Sequence, residues 1–149
     1  MKISELQDYV KDRLNAVEAL VQGGCKAFAE DTRSVYDESR QWVSCGKVAL
    51  VAMTPDMTRN GIAEDGIPME TKLLVSCFEI APVAASSHVM RALDAAELVA
   101  HELDGPTFNL ESIRQTHDER QKTITATATF NVTIHLTLPT NNQQPTTIN

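Results

Sequence analysis

The side chains able to act as nucleophiles or metal ligands are three cysteines, Cys25, Cys45 and Cys77, and four histidines, His88, His101, His117 and His135. Their spacing argues against both uses. The sequence contains no Cys-x-x-Cys pair, and no two histidines stand at i, i+4, the separation that puts two zinc ligands on one helix face. No metal site is expected. Each cysteine lies in or beside an apolar run, as in Val75-Ser76-Cys77-Phe78, where burial keeps a thiol protonated and inert. Phosphate-binding loops are equally absent: Gly23-Gly24 leads into Cys25-Lys26, and neither Gly61 nor Gly66 is followed by the lysine of a nucleotide loop. His101-Glu102 continues as Leu103-Asp104-Gly105, so no metalloprotease helix forms, and no Gly-x-Ser-x-Gly elbow exists. The carboxylates Asp94, Glu97, Glu102 and Asp104 share the side of a helix opposite its apolar stripe, which reads as a solvated face. Nothing around them marks a desolvated pocket that would separate their pKa values for acid and base roles. Asn131-Val132-Thr133 matches a glycosylation triplet by chance, inside a strand. The expected protein is therefore not an enzyme, and carries no catalytic, cofactor-binding or metal-binding residue.

At 149 residues the chain is expected to form one domain over residues 1–138, followed by a flexible polar tail over 139–149 that is uncharged and holds little apolar surface to bury. A net charge of -7, from 13 basic and 20 acidic residues, excludes a duplex-binding surface, which neutralises phosphates with clustered Lys and Arg. A mean hydropathy of -0.20 and the lack of any apolar run of spanning length place no part of it in a membrane. The start, MKISELQDYVKDRLN, is amphipathic and lacks the apolar core of a secretory signal. With an odd number of widely spaced cysteines, a reducing, cytoplasmic setting is expected.

The elements that would position any site come from periodicity. Leu6, Val10, Leu14, Val17 and Val21 predict one helix over 4–22, opened by a Ser4/Gln7 capping box and stopped by Gly23-Gly24. Residues 25–30 admit a short strand and 34–42 a helix, with the lone Trp42 as a core anchor. An apolar run at 47–54, ended by Pro55, predicts a buried strand, and 69–80 another. Between them lies a long Pro- and Gly-bearing loop, 55–68, of the kind used for contacts. A second helix is predicted over 86–104, with Val89, Leu93, Ala96, Ala100 and Leu103 as its apolar stripe.

From 124 to 138 the even positions are all apolar and the odd positions are threonine, asparagine or histidine. Side chains alternate with a period of two along a strand, so this is an antiparallel strand buried on one face. Residues 110–116 are expected to pair with its first half as a hairpin around 118–121. Its surplus length is left for a bulge or another subunit. The predicted fold is α+β: a two-layer sandwich of two main helices on one face of a mostly antiparallel sheet of about four strands, in the order α-β-β-α-β-β. That order is a ferredoxin-like layout with its first strand moved to the end.

Two stretches, EDTRSVYDESRQWVSCGKVALVAMTPDM and ALDAAELVAHELDGP followed by the long terminal strand, resemble proteins of phage and prophage tail-morphogenesis clusters. The layout of residues 1–138 is similar to that of the tail terminator, or tail-completion, family. The resemblance implies a small subunit that caps the tail tube as a ring, usually hexameric, and joins it to the head-proximal structure. Its implied partners are copies of itself, the tail tube and head–tail connector proteins; its implied location is the bacterial cytoplasm or the virion. No functional residue transfers by motif. By position, the candidate assembly contacts are Asp56, Met57 and Arg59 in the loop and Thr125, Thr127, Thr129, Thr133 and His135 on the threonine face. The competing function is a ferredoxin-like ligand-binding or enzymatic domain in which His135, Asn131 and the threonines line a cleft.

Overall fold

The alternating segment forms a strand over its whole described length, and it organises the rest of the sheet. A computed structural model describes residues 3–30, 33–62, 66–80 and 89–136. In chain order the elements are α1 (Ile3–Asn15), α2 (Glu18–Gln22), β1 (Cys25–Ala29), α3 (Val35–Ser44), β2 (Val48–Met53), β3 (Met57–Arg59), β4 (Ile67–Ile80), α4 (Ala92–Leu103), β5 (Phe108–Asp118) and β6 (Thr123–Leu136). One sheet runs β1-β2-β4-β6-β5, with β3 added beside β4. Among the described residues only β1 and β2 are parallel, joined by a crossover through α3; the other pairs are antiparallel.

The expected two-layer sandwich of two helices on about four strands is overturned. The described residues hold four helices and six strands, with helices on both faces of the sheet. The permuted ferredoxin-like layout goes with it, because α3 does not join the others. On the first face Leu6, Val10 and Leu14 of α1 and Ala92, Ala95, Ala96, Val99 and Leu103 of α4 pack on Leu50, Leu73, Val75, Ala126, Ala128 and Phe130. On the second face α3 lays Val43, with the flanking Val35 and Trp42, against Phe28, Ala49 and Val51. Residues 25–44 thus resolve into a strand and a helix, and their apolar residues explain why a second face is buried at all.

Two helix expectations also shift. The first helix breaks at Ala16-Val17, where i→i−3 bonds from Ala16 to Arg13 and from Val17 to Leu14 end α1. The break rotates the stripe, so Leu20 is buried while Val21 is 53% exposed. The second main helix begins at Ala92, and its inward face is the small-residue row with Val99, leaving Leu93 outside. The side chain of Ser4, residues 81–88 of the predicted second helix, residues 137–138 of the last strand and the polar segment 139–149 lie outside the described residues.

The long strand pairs more completely than its length suggested. Every residue of β4 from Ile67 to Ile80 is laddered to β6 from Leu136 back to Thr123. The predicted hairpin of β5 with β6 forms, and its irregularity falls in β5, between Leu110 and Ser112. The expected loop 55–68 contains β3. There the Asp56 carbonyl accepts the Thr71 hydroxyl at 2.7 Å and the Lys72 amide at 3.1 Å, so the chain breaks step after β2 and rejoins the same neighbour.

Candidate assembly surface

The odd-numbered row of β6 lies on the second face of the sheet, but α3 covers only the β1–β2–β4 part of that face. Thr125, Thr127 and Thr129 are half-buried between neighbours: their β4 partners are Phe78, Ser76 and Leu74, and their β5 partners are Thr116, Arg114 and Ser112. The Ser76 and Thr127 hydroxyls hydrogen-bond at 3.1 Å, a cross-strand pair of the kind that stabilises sheets. These threonines therefore spend part of their hydrogen-bonding capacity within the chain.

Thr133 and His135 stand at the other end of β6, both exposed, opposite Glu70 and Pro68. Thr58 of β3 pairs with Glu70, so Thr58, Glu70 and Thr133 form one row on the second face. Met57 and Arg59 align with Thr71 and Met69, in rows belonging to the first face. The expected site residues are thus divided: Thr133 and His135 stand at one end of β6, Thr125, Thr127 and Thr129 lie further along it, and Met57 and Arg59 fall in rows of the opposite face. Asp56 is exposed, and its backbone carbonyl has the architectural task described above.

Sequence reasoning passed over a polar cluster on this face. Lys72 pairs with Glu111, and Asn131 of the threonine row also hydrogen-bonds the Glu111 carboxylate. The hydrogen bond from Lys72, foremost, holds that carboxyl below its ordinary value. The Asn131 Oδ1 is buried and has no hydrogen-bond partner among the described residues. The available signal was Asn131 itself, an amide interrupting a run of threonines; its partners could not be read, because Lys72 and Glu111 come from other strands.

Other groups with chemical capacity turn out to be engaged structurally. The Glu79 carboxylate, 8% exposed, accepts Arg91 Nε and the Ala92 amide, each at 2.6 Å, and so closes the start of α4. Trp42 is half-buried and donates Nε1 to Val48 O at 2.9 Å and Gly24 O at 3.2 Å, with the Lys47 ammonium 4.3 Å from its ring. Gly24 holds φ +84°, a left-handed conformation that a side chain would strain. Burial pushes the Cys25 thiol up to about 12 and raises that of Cys77 further. Cys45 departs from the expectation of buried thiols: it caps the end of α3 and is exposed.

One apolar groove of about 490 Å³ opens where α1, the α4–β5 connection and the end of β6 meet. Leu6, Tyr9, Phe108 and Ile134 wall it, with the Tyr9 and Phe108 rings stacked at 6.1 Å. Its Arg13 is held by Tyr9 Oη and Glu102 O. Among the described residues, no group of three or more His, Cys, Asp or Glu is placed to hold a metal ion, and no helix is long and apolar enough to cross a membrane. Scanned against protein-family models and curated protein sequences, the chain matches none.

Proposed function

We propose that this chain is a structural assembly protein of a phage or prophage tail, acting as tail terminators do: it associates with copies of itself, caps the tail tube and connects it to the head-proximal structure. The observation that carries the reading is the β5–β6 hairpin. Every side chain from residue 111 to 122 is exposed, although β6 is laddered along its full length to β4 on its other side. The outer part of β5 and the turn bury little of their own surface, and among the described residues no strand pairs with the outer edge of β5, so docking there would add stability. The likeness of the two sequence stretches to tail-morphogenesis proteins supplies the biological setting, the host cytoplasm or the virion.

Light scattering coupled to size exclusion, over a concentration series and with purified tail-tube protein added, tests this reading. A defined oligomer or a tube-bound species supports it. A strict monomer under both conditions overturns it.

The apolar groove favours a second reading, a ligand-binding domain whose site lies there instead of on the half-buried threonine row. It expects aliphatic or aromatic ligands to raise the melting temperature of the native chain and to lose that effect in Phe108→Ala. A broad apolar panel that produces no shift removes it.

A further inference from the structure

The strands at the two ends of the path β1-β2-β4-β6-β5 are finished differently. On β1, Cys25, Ala27, Phe28 and Ala29 are at most 6% exposed. The Asn15 carboxamide stands where a further strand would stand, donating Nδ2 to Ala27 O at 3.0 Å and accepting the Ala27 amide at 2.8 Å. A side chain that satisfies both backbone groups of an edge residue blocks strand addition there. On β5 a comparable contact occurs at its beginning, where Asp104 Oδ1 accepts the Leu110 amide at 3.0 Å. Beyond it, all side chains from Glu111 to Asp118 are exposed.

We infer that β5 pairs with β5 of a second copy of this chain, antiparallel, about a two-fold axis through Thr116. The inference rests on the assembly reading above and sharpens it: the self-association of this chain starts from a two-fold pair. With β1 blocked and β3, the further edge beside β4, only three residues long, a contact that continues the sheet along the length of β5 between identical chains uses the same edge twice, which is an isologous contact that closes at two copies. A two-fold axis normal to the sheet keeps each face on its own side, so it passes through a residue. Beyond the irregularity, Ser112, Arg114, Thr116 and Asp118 share one face, and Ile113, Gln115 and His117 share the other. An axis through Arg114 opposes two guanidiniums, and one through Gln115 opposes Ser112 to Asp118. Through Thr116, Arg114 faces Asp118 of the partner subunit twice, and threonine faces threonine. Opposite charges and β-branched residues directly across a ladder are the favourable pairs.

The test uses full-length protein carrying Cys45→Ser, which removes the exposed thiol and leaves Cys25 and Cys77 buried. Single cysteines are introduced at Ser112, Arg114, Gln115 and Thr116, and disulfide-linked dimer is measured after mild oxidation. Residues directly opposed in such a ladder have Cβ atoms about 4.5–5.5 Å apart, near disulfide range. The expected maximum is at Thr116. In sedimentation, Arg114→Asp should weaken dimerisation roughly tenfold by turning two attractions into repulsions, and Arg114→Asp with Asp118→Arg should restore it. Uniform crosslinking, a maximum elsewhere, or an inert Arg114→Asp in a chain with unchanged circular dichroism refutes the pairing. If a larger defined species survives all β5 variants, the edge inference fails while the assembly reading stands. A wild-type monomer with and without tube protein ends both.

Discussion

Replacing Glu79 should cost more than any other single change of a charged residue described above. Its carboxylate receives the Ala92 amide, whose residue is fully buried, and Arg91 Nε, whose side chain is 61% exposed. A hydrogen bond between a charged group and a buried backbone donor contributes about 1.5–3 kcal/mol, and a carboxylate at a helix N-terminus adds about 0.3–1 kcal/mol. The solvent-screened pair with Arg91 contributes under about 1 kcal/mol. Glu79→Ala leaves the Ala92 amide unsatisfied and should cost about 2–4 kcal/mol. At about 2–4 °C per kcal/mol for a chain of this size, the melting temperature should fall by about 10 °C. Glu79→Gln keeps an acceptor at the helix start and should cost about half as much. Arg91→Ala should cost under about 1 kcal/mol. Urea unfolding followed by far-ultraviolet circular dichroism, with the m-value held as a check on the denatured state, measures the series. If Arg91→Ala costs as much as Glu79→Ala, or if Glu79→Ala falls within about 0.5 kcal/mol of wild type, the carboxylate does not hold the start of α4.

Four further outcomes follow from the packing. In the native state at pH 8 a thiol reagent should label Cys45 alone, with Cys25 and Cys77 reacting only on unfolding; stoichiometric labelling of Cys25 in folded protein would contradict its burial. Because Cys25 titrates near 12 when folded against an ordinary 9.0, the unfolded chain loses that proton first. Stability should therefore be intact below pH 9 and decline between 9 and about 12, less steeply in Cys25→Ala, as read from urea midpoints across that range. Asn15→Ala should cost about 1–2 kcal/mol in urea unfolding and increase light scattering at high concentration, since it uncovers the β1 edge. Trp42→Phe should cost about 1 kcal/mol beyond any packing loss, because the Val48 and Gly24 carbonyls lose their shared donor.

Legibility followed the range of the interactions. The β5–β6 hairpin was readable because alternation from Ile124 onward and the polar turn near Asp118 are local signals, and the run 47–54 marked β2 for the same reason. The break between α1 and α2 was not readable, because Val17 and Val21 continue the apolar spacing and the decision rests on Leu20 and Asn15 meeting β1. In the stripe of α4 only Leu93 was misplaced, for a related cause: alanines weigh little in a hydropathy pattern, yet Ala92, Ala95 and Ala96 pack against the sheet, where a close helix approach favours small side chains. For the proposed surface, the threonine row was visible, but nothing local said that Thr125, Thr127 and Thr129 lie sheltered between β4 and β5.

By itself the sequence determined what depends on residue type and near neighbours: the acidic balance, the missing nucleotide and zinc motifs, and the faces of β6. Tertiary structure alone decided which strands became neighbours, that α3 took the second face, and that Asn15 closes the β1 edge of the sheet while, among the described residues, no strand pairs with the outer edge of β5. Those outcomes depend on contacts between residues far apart in the chain, such as Asn15 with Ala27 and Lys72 with Glu111. Such contacts form only after the loops between them have closed, and their closure entropy leaves no periodic mark in the sequence.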